Sequence, residues 1–300
     1  MLNVLNKFLL KMIDKKKFKK MQEAFVDSPL FVLSTIFDKY PRTIYKYRNW
    51  EDKFHKRILT HNEIFMSPPN LFNDPFDCRI YEDMSWLHDE DKKQKYIEET
   101  LIKSKGHILK NYKSEEEARK IIAENVAYPY YYQKKSQEAQ DEYTDKYIGI
   151  ASFAENCDSI LMWSHYANHH KGFSIGFDEK KMKMSGLFGL CESVTYTENM
   201  PSYYTDESRT KEIRKELYKS IEWEYEREYR AISLFFDDRN KNPKRTVNFK
   251  DSYIKEIVFG LLMSDEHKSQ ITEIAKQKNI PLFQIEKIPF KFKLIKMLVE

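Results

Sequence analysis

Seven glycines in 300 residues leave little room for folds built on glycine-rich turns. Neither G-x-G-x-x-G nor G-x-x-x-x-G-K-[ST] occurs. A dinucleotide-binding βαβ turn and a P-loop are both excluded, because each needs glycine where the backbone closes on phosphate. The chain is otherwise equipped to fold, with 41% hydrophobic residues and 20 Tyr, 20 Phe and 4 Trp to build a core. A net charge of +4 gives no whole-molecule attraction to nucleic acid, so any basic surface is local.

Cys78, Cys157 and Cys191 are odd in number and widely spaced, without a C-x-x-C pair. That pattern fits reduced thiols and a cytoplasmic location better than a disulfide frame or a zinc knuckle. No apolar run reaches the roughly 20 residues of a membrane span. In the first 21 residues, Leu2, Leu5, Leu9, Met12 and Ile13 precede Lys15, Lys16, Lys17, Lys19 and Lys20, the reverse of a signal peptide. An amphipathic helix is expected there, packed on the body or a partner, or resting on phosphate or an anionic surface.

Residues 1–40 read as a helical extension and 41–300 as a single α+β domain. A Lys-, Glu- and Tyr-rich helical insertion occupies about 82–146, where Ile97, Leu101 and Ile108, then Ile121, Ile122 and Val126, keep a helical period. Strands are expected at 43–48, 63–66, 147–153, 172–177, 191–196, 223–236, 254–260, 282–285 and 290–294. Helices are expected at 50–60, 158–167 (capped by Asp158), 211–221 and 264–278. Strands and helices mingle without a regular βαβ repeat, which favours α+β over a doubly wound sheet.

Three places gather chemistry. In Trp223-Glu224-Tyr225-Glu226-Arg227-Glu228-Tyr229-Arg230, strand alternation puts Glu226, Glu228 and Arg230 on one face. Two acids so close are solvated, paired with cations, or used as acid, base or anionic stabiliser. In Tyr45-Lys46-Tyr47-Arg48, with Ser67 and Asn73-Asp74-Pro75-Phe76-Asp77, aromatics and cations suit a phosphate-bearing nucleotide. Asn73 and Asp74 either hold a sugar hydroxyl or build an Asx turn before Pro75. In the third, His165 and His169 stand at i, i+4 near a helix end, without the glutamate or further ligand zinc chemistry wants.

Four motifs in order carry a resemblance. Ile44 to Arg48, Phe72 to Asp77, Met162 to Ala167 with Lys171-Gly172-Phe173, and Trp223-x-Tyr225-Glu226-x-Glu228-Tyr229-Arg230 resemble the bacterial family catalogued as domain of unknown function 2971. The match runs from about 42 to 290. That family has no settled activity; it is similar in genomic setting to genes near mobile and anti-phage elements. The layout also resembles, more distantly, the ADP-ribosyltransferase fold with its split mixed or antiparallel sheet. That resemblance implies NAD as substrate, with Glu228 as catalytic carboxylate and Glu226 as its companion. It implies Arg48 as phosphate clamp, Ser67 on the second strand and Tyr45 or Tyr47 as nicotinamide platform. Asn73, Asp74, His165 and Arg230 complete the expected binding set. Ser67-Pro68-Pro69 stands where the resemblance wants Ser-Thr-Ser, and Pro removes backbone donors there.

The expected activity is ADP-ribosyl transfer to a protein or nucleic acid, or NAD hydrolysis, in an intracellular toxin or anti-phage effector. One competitor is a magnesium nuclease using Asp74, Asp77, Glu226 and Glu228. The other is a non-catalytic binding module presenting Tyr128, Tyr130, Tyr131 and Tyr132.

Overall fold

Short runs of β-branched and aromatic residues become strands in a computed structural model that describes residues 41–81, 83–103, 113–201, 215–235 and 244–299. The expected extension at 1–40, its basic helix and Ile108 lie outside these residues. The strands are β1 (Thr43–Arg48), β2 (Glu63–Phe65), β3 (Ile148–Ala154), β4 (Phe173–Asp178), β5 (Leu190–Ser193), β6 (Thr195–Thr197), β7 (Tyr218–Ser220), β8 (Glu228–Leu234), β9 (Thr246–Asn248), β10 (Ile254–Phe259), β11 (Leu282–Lys287) and β12 (Leu294–Leu298). The helices are α1 (Arg57–Thr60), α2 (Glu90–Lys103), α3 (Glu115–Val126), α4 (Pro129–Tyr147), α5 (Ile160–Tyr166), α6 (Glu179–Met184) and α7 (Asp265–Lys278).

The chain divides into two compact units. One holds Arg79–Thr144 and is helical. Leu87, Ile97, Leu101, Ala118, Ile122, Val126 and Tyr132 make its core. Ser114 caps α3 by accepting from Glu117 N, with three glutamates in the first turn facing the positive helix end. Of the described residues, the other unit holds 41–78, Asp145–Asn199, 215–235 and 244–299.

That second unit is mixed α+β around one continuous eight-stranded sheet, ordered β12-β11-β10-β4-β1-β3-β8-β5. Neighbours are antiparallel except β10 with β11. The pairs β2–β9 and β6–β7 stand apart from it. The sheet is therefore continuous where a split one was expected.

Register decides which side chains meet. Tyr45 lies opposite Ala154, and Ala154 opposite Glu228, so these three share a face. The other face carries Ile44, Phe153, Phe173, Ile175, Phe177, Tyr229 and Ile257, the heart of the largest core cluster. It is closed by Ile271 and Ala275 of α7, Met182 of α6 and Trp50. On the Tyr45 face, α5 supplies Met162 and Trp163, whose indole N–H donates to Cys157 O at 2.7 Å.

Several expected boundaries move for local reasons. Residues 51–56 form bends and turns, opened by Asp52 accepting from the backbone N–H groups of Phe54 and His55, and only Arg57–Thr60 is helical. Ser159, not Asp158, caps α5. Residues 191–196 break at Val194, whose N–H bonds Glu228 O. The expected helix at 211–221 is, over its described part, a 3-10 turn (Lys215–Leu217) and β7. Residues 290–293 are a turn, and the last strand is β12.

Gly172 is where β1, α5 and β4 crowd together. A Cβ there would lie 2.2 Å from Arg48 O and 2.9 Å from Ala167 O, both backbone. Gly172→Ala is expected to cost about 2–3 kcal/mol, the scale of core overpacking. A thermal melt of the full chain checks this; an unchanged midpoint would refute the crowding.

Candidate functional site

The Glu-rich run does not begin as a strand. Residues Ile221–Glu226 form a 3-10 turn capped by Ser220, Arg227 is left-handed at φ 43°, and β8 starts at Glu228. Glu226 and Glu228 therefore meet through a turn rather than by alternation along one strand. They converge on Lys219 of β7, whose Nζ lies 2.6 Å from Glu226 Oε2 and 3.2 Å from Glu228 Oε2.

Arg230 completes the cluster from beneath. Its Nη1 and Nη2 donate to the two oxygens of Asp77 at 2.8 and 2.5 Å. Its Nε and Nη2 donate to Glu228 at 2.8 and 2.9 Å, and Nη1 donates again to Glu216 O at 2.7 Å. The five N–H donors of the guanidinium are thereby used. Asp77, Lys219, Glu226, Glu228 and Arg230 are all buried. Three carboxylates face two cations.

Burial sets the electrostatics. It acts to lower the Lys219 ammonium, but the charges of Glu228, Glu226 and Asp77 outweigh it and hold Lys219 protonated. Burial acts to raise Glu228, and the charges of Arg230 and Lys219 overcome it, holding the carboxyl down to about 2. The Ser152 hydroxyl also bonds Glu228, and Glu228 N donates to the Tyr196 oxygen at 2.8 Å. Glu228 is ionised and fully engaged.

A carboxyl lowered from 4.5 to about 2 stabilises the folded state above its ordinary value and loses that stabilisation as pH falls through the folded one. Stability is thus expected to hold from pH 7 to 5 and to fall by on the order of 3 kcal/mol between pH 5 and 2 from this group. Urea melts across that range measure it; a flat profile would contradict the pairing.

Glu226, as buried as Glu228, is the member of the cluster that bonds to α5. Tyr166, half-buried at the end of α5, donates its hydroxyl to Glu226 Oε1 at 2.5 Å. Burial first, then the charge of Glu226, push the Tyr166 phenol upward, so it stays a donor. Trp223 and Tyr225 stand beside it with ring centroids 6.1 Å apart, and exposed His165 lies 6.2 Å from Tyr225. Lys219 Nζ sits 4.8 Å from the Trp223 ring. The result is a buried acid with a phenol donor on one oxygen, an ammonium on the other, and an aromatic rim.

The remaining expected residues fall elsewhere. Arg48 is three residues from Tyr45, so it leaves β1 on the face opposite Glu228. It does not confront Glu228, and its Nη1 donates to Tyr47 O at 3.1 Å. Burial lowers its guanidinium to about 10, partly offset by Asp52. Tyr45 and Tyr47 are buried and bonded, Tyr45 to Glu256 Oε1 at 2.7 Å and Tyr47 to Asn156 O at 2.9 Å. Tyr47 also packs edge-on against Trp163, so neither ring is an open platform.

Ser67 bridges Ile150 of β3 through backbone, and its hydroxyl turns to Pro68 O at 3.4 Å. Asn73 is exposed. Asp74 is buried, makes an Asx turn to Phe76 N at 2.9 Å, and leaves Oδ2 without a hydrogen-bond partner. His169 is off the helix, because α5 ends at Tyr166 and Asn168, His169 and His170 are all left-handed. His165 and His169 therefore share no helical face. Among the described residues no group of three or more His, Cys, Asp and Glu is arranged to hold a metal ion.

Sequence reasoning missed Lys219 and Tyr196 and gave Asp77 only to a metal. Asp77 had a signal in Phe72 to Asp77; Lys219, in a run read as helix, had none. No curated protein and no solved structure matches the chain. Residues 162–231 match the family described as Protein of unknown function (DUF2971), so the resemblance holds over the stretch carrying α5, Lys219 and the Glu226–Arg230 run.

Proposed function

We propose that the aromatic-rimmed acid cluster is a nucleotide site and that the protein uses NAD as substrate for ADP-ribosyl transfer or hydrolysis. One observation carries this reading. Segments about 150 residues apart in the chain, ending in Asp77 and beginning at Glu226, meet around one lysine, with Glu226 bonded to half-buried Tyr166 and following the Trp223–Tyr225 ring pair in the chain.

In this reaction the bond between the ribosyl carbon and the nicotinamide nitrogen breaks. The electron pair leaves with neutral nicotinamide, and positive charge develops on the ribosyl carbon. A fixed carboxylate stabilises that charge, and a low-dielectric setting strengthens the effect. The role belongs to Glu226 rather than Glu228, because Glu226 is the acid bonded to half-buried Tyr166, whereas Glu228 is forked by the fully buried Arg230 guanidinium. Trp223 and Tyr225 offer faces for a heterocycle. Water or an acceptor nucleophile then attacks the carbon and gives up its proton. Such chemistry suits an intracellular toxin or anti-phage effector of the ADP-ribosyltransferase kind.

Incubation of the full chain with NAD labelled in the adenylate, with and without bacterial extract, tests the reading. Release of nicotinamide, or label on a macromolecule, is expected. Folded protein giving neither would overturn it. A binding-module reading would then stand instead, favoured by Tyr128, Tyr130 and Tyr131, which are exposed on α4 and just before it, while Tyr132 is buried.

A further inference from the structure

The hairpin joining β11 to β12 carries side chains that its own fold does not require. Lys291 N donates to Ile288 O at 3.2 Å, closing a four-residue turn with Pro289 second and Phe290 third. Phe290 has φ 58°. A turn with Pro in the second place and positive φ in the third is of type II, which calls for Gly or Asn at the third. A phenylalanine there works against the backbone, since a Cβ crowds the following carbonyl in that region. Nor does packing repay it: Phe290 and Phe292 are 107% and 100% exposed, so neither ring touches the body.

The surroundings select a partner. Lys287, Lys291 and Lys293 are exposed and interleave with the two rings, against one exposed acid, Glu286, among the described residues from 282 to 299. Ile295 and Met297, on one face of the adjoining edge strand, are exposed too. Aromatic rings alone would also suit stacked bases. Aliphatic side chains have no π face to stack, and a projecting tip is not a groove that tracks a strand. A hydrocarbon boundary beneath anionic headgroups satisfies the rings, the aliphatics and the lysines together.

We infer that the 288–293 hairpin is a membrane-surface anchor: Phe290 and Phe292 enter the headgroup–acyl boundary of an anionic bilayer while Lys287, Lys291 and Lys293 pair with its phosphates and carboxylates.

The test is co-sedimentation of the full chain with phosphatidylcholine vesicles, with and without 30% phosphatidylserine. Binding is expected only with phosphatidylserine, weakening at high salt. F290S/F292S is expected to lower partitioning by at least about 30-fold, and Lys291→Glu by about fivefold or more. Phe290→Gly separates this role from a structural one, because it relieves the turn. It is expected to hold or raise the melting temperature while lowering vesicle binding about tenfold. No binding to phosphatidylserine vesicles, equal binding to both vesicle types, or binding that F290S/F292S leaves unchanged would each overturn the assignment. So would a concentration-dependent dimer, or affinity for single-stranded DNA, that the same double variant abolishes without any vesicle effect.

Discussion

Arg230→Met is expected to remove at least about 3–5 kcal/mol from the unit that holds the large sheet, enough to leave it largely unfolded at 37 °C. The reason is asymmetric desolvation. Arg230 is completely buried and satisfies both oxygens of Asp77 and both of Glu228. Its loss leaves two buried carboxylates with Lys219 as their one ion-paired cation among the described residues, and Lys219 stands 3.7 Å from Asp77 and 3.2 Å from Glu228 and already serves Glu226. Methionine fills the space but offers no donor. Arg230→Lys keeps the charge and loses the fork, so an intermediate loss is expected. Urea melts followed by circular dichroism measure both variants, and a double-mutant cycle with Asp77→Ala should give a coupling of about 2 kcal/mol or more. A cost below about 1 kcal/mol for Arg230→Met would show that the network is dispensable to folding.

That buried network also shows where reading the sequence stops. The alternation of Thr43 to Arg48, the run from Ile254 to Phe259 and the capped helix after Ser264 were legible, because strand period and helix caps are local properties. The grouping of Glu226, Glu228 and Arg230 was legible as a constellation, since the residue types are unusual at that spacing. The partners were not. Asp77 lies 153 residues from Arg230, and only the sheet and the loop before Cys78 bring them together. The face carrying Arg48 was a question of register: one residue of offset decides it, and no local signal in Tyr45-Lys46-Tyr47-Arg48 says which pair faces the late strand. Tyr45 and Tyr47 looked like ligand platforms because aromatic residues serve equally in cores. Only the bonds to Glu256 and Asn156 tell the two roles apart.

Glu226→Gln and Glu228→Gln are expected to fail in different ways, and the contrast decides whether the cluster does chemistry. In Glu226→Gln the amide still accepts from Tyr166 or Lys219, and Lys219 keeps Glu228 and Asp77 as counter-charges. The fold should lose about 1 kcal/mol or less. Nicotinamide release from NAD should fall by about 10²–10³-fold, the usual cost of removing one pre-organised electrostatic group at the reacting centre. The loss should appear in kcat rather than KM, because the charge it answers exists only in the transition state. Glu228→Gln instead turns one side of the Arg230 clamp from anion to amide. It should lose about 3 kcal/mol or more of stability, with turnover per folded molecule reduced far less than by Glu226→Gln. Tyr166→Phe provides the third comparison. It removes the donor on Glu226 Oε1 without changing charge, so a modest rate change with an intact fold is expected. Stability curves and initial rates on the same preparations separate these outcomes. Turnover unchanged in Glu226→Gln would remove Glu226 from the reaction, and equal kinetic losses in both variants would mean the two acids act as one unit.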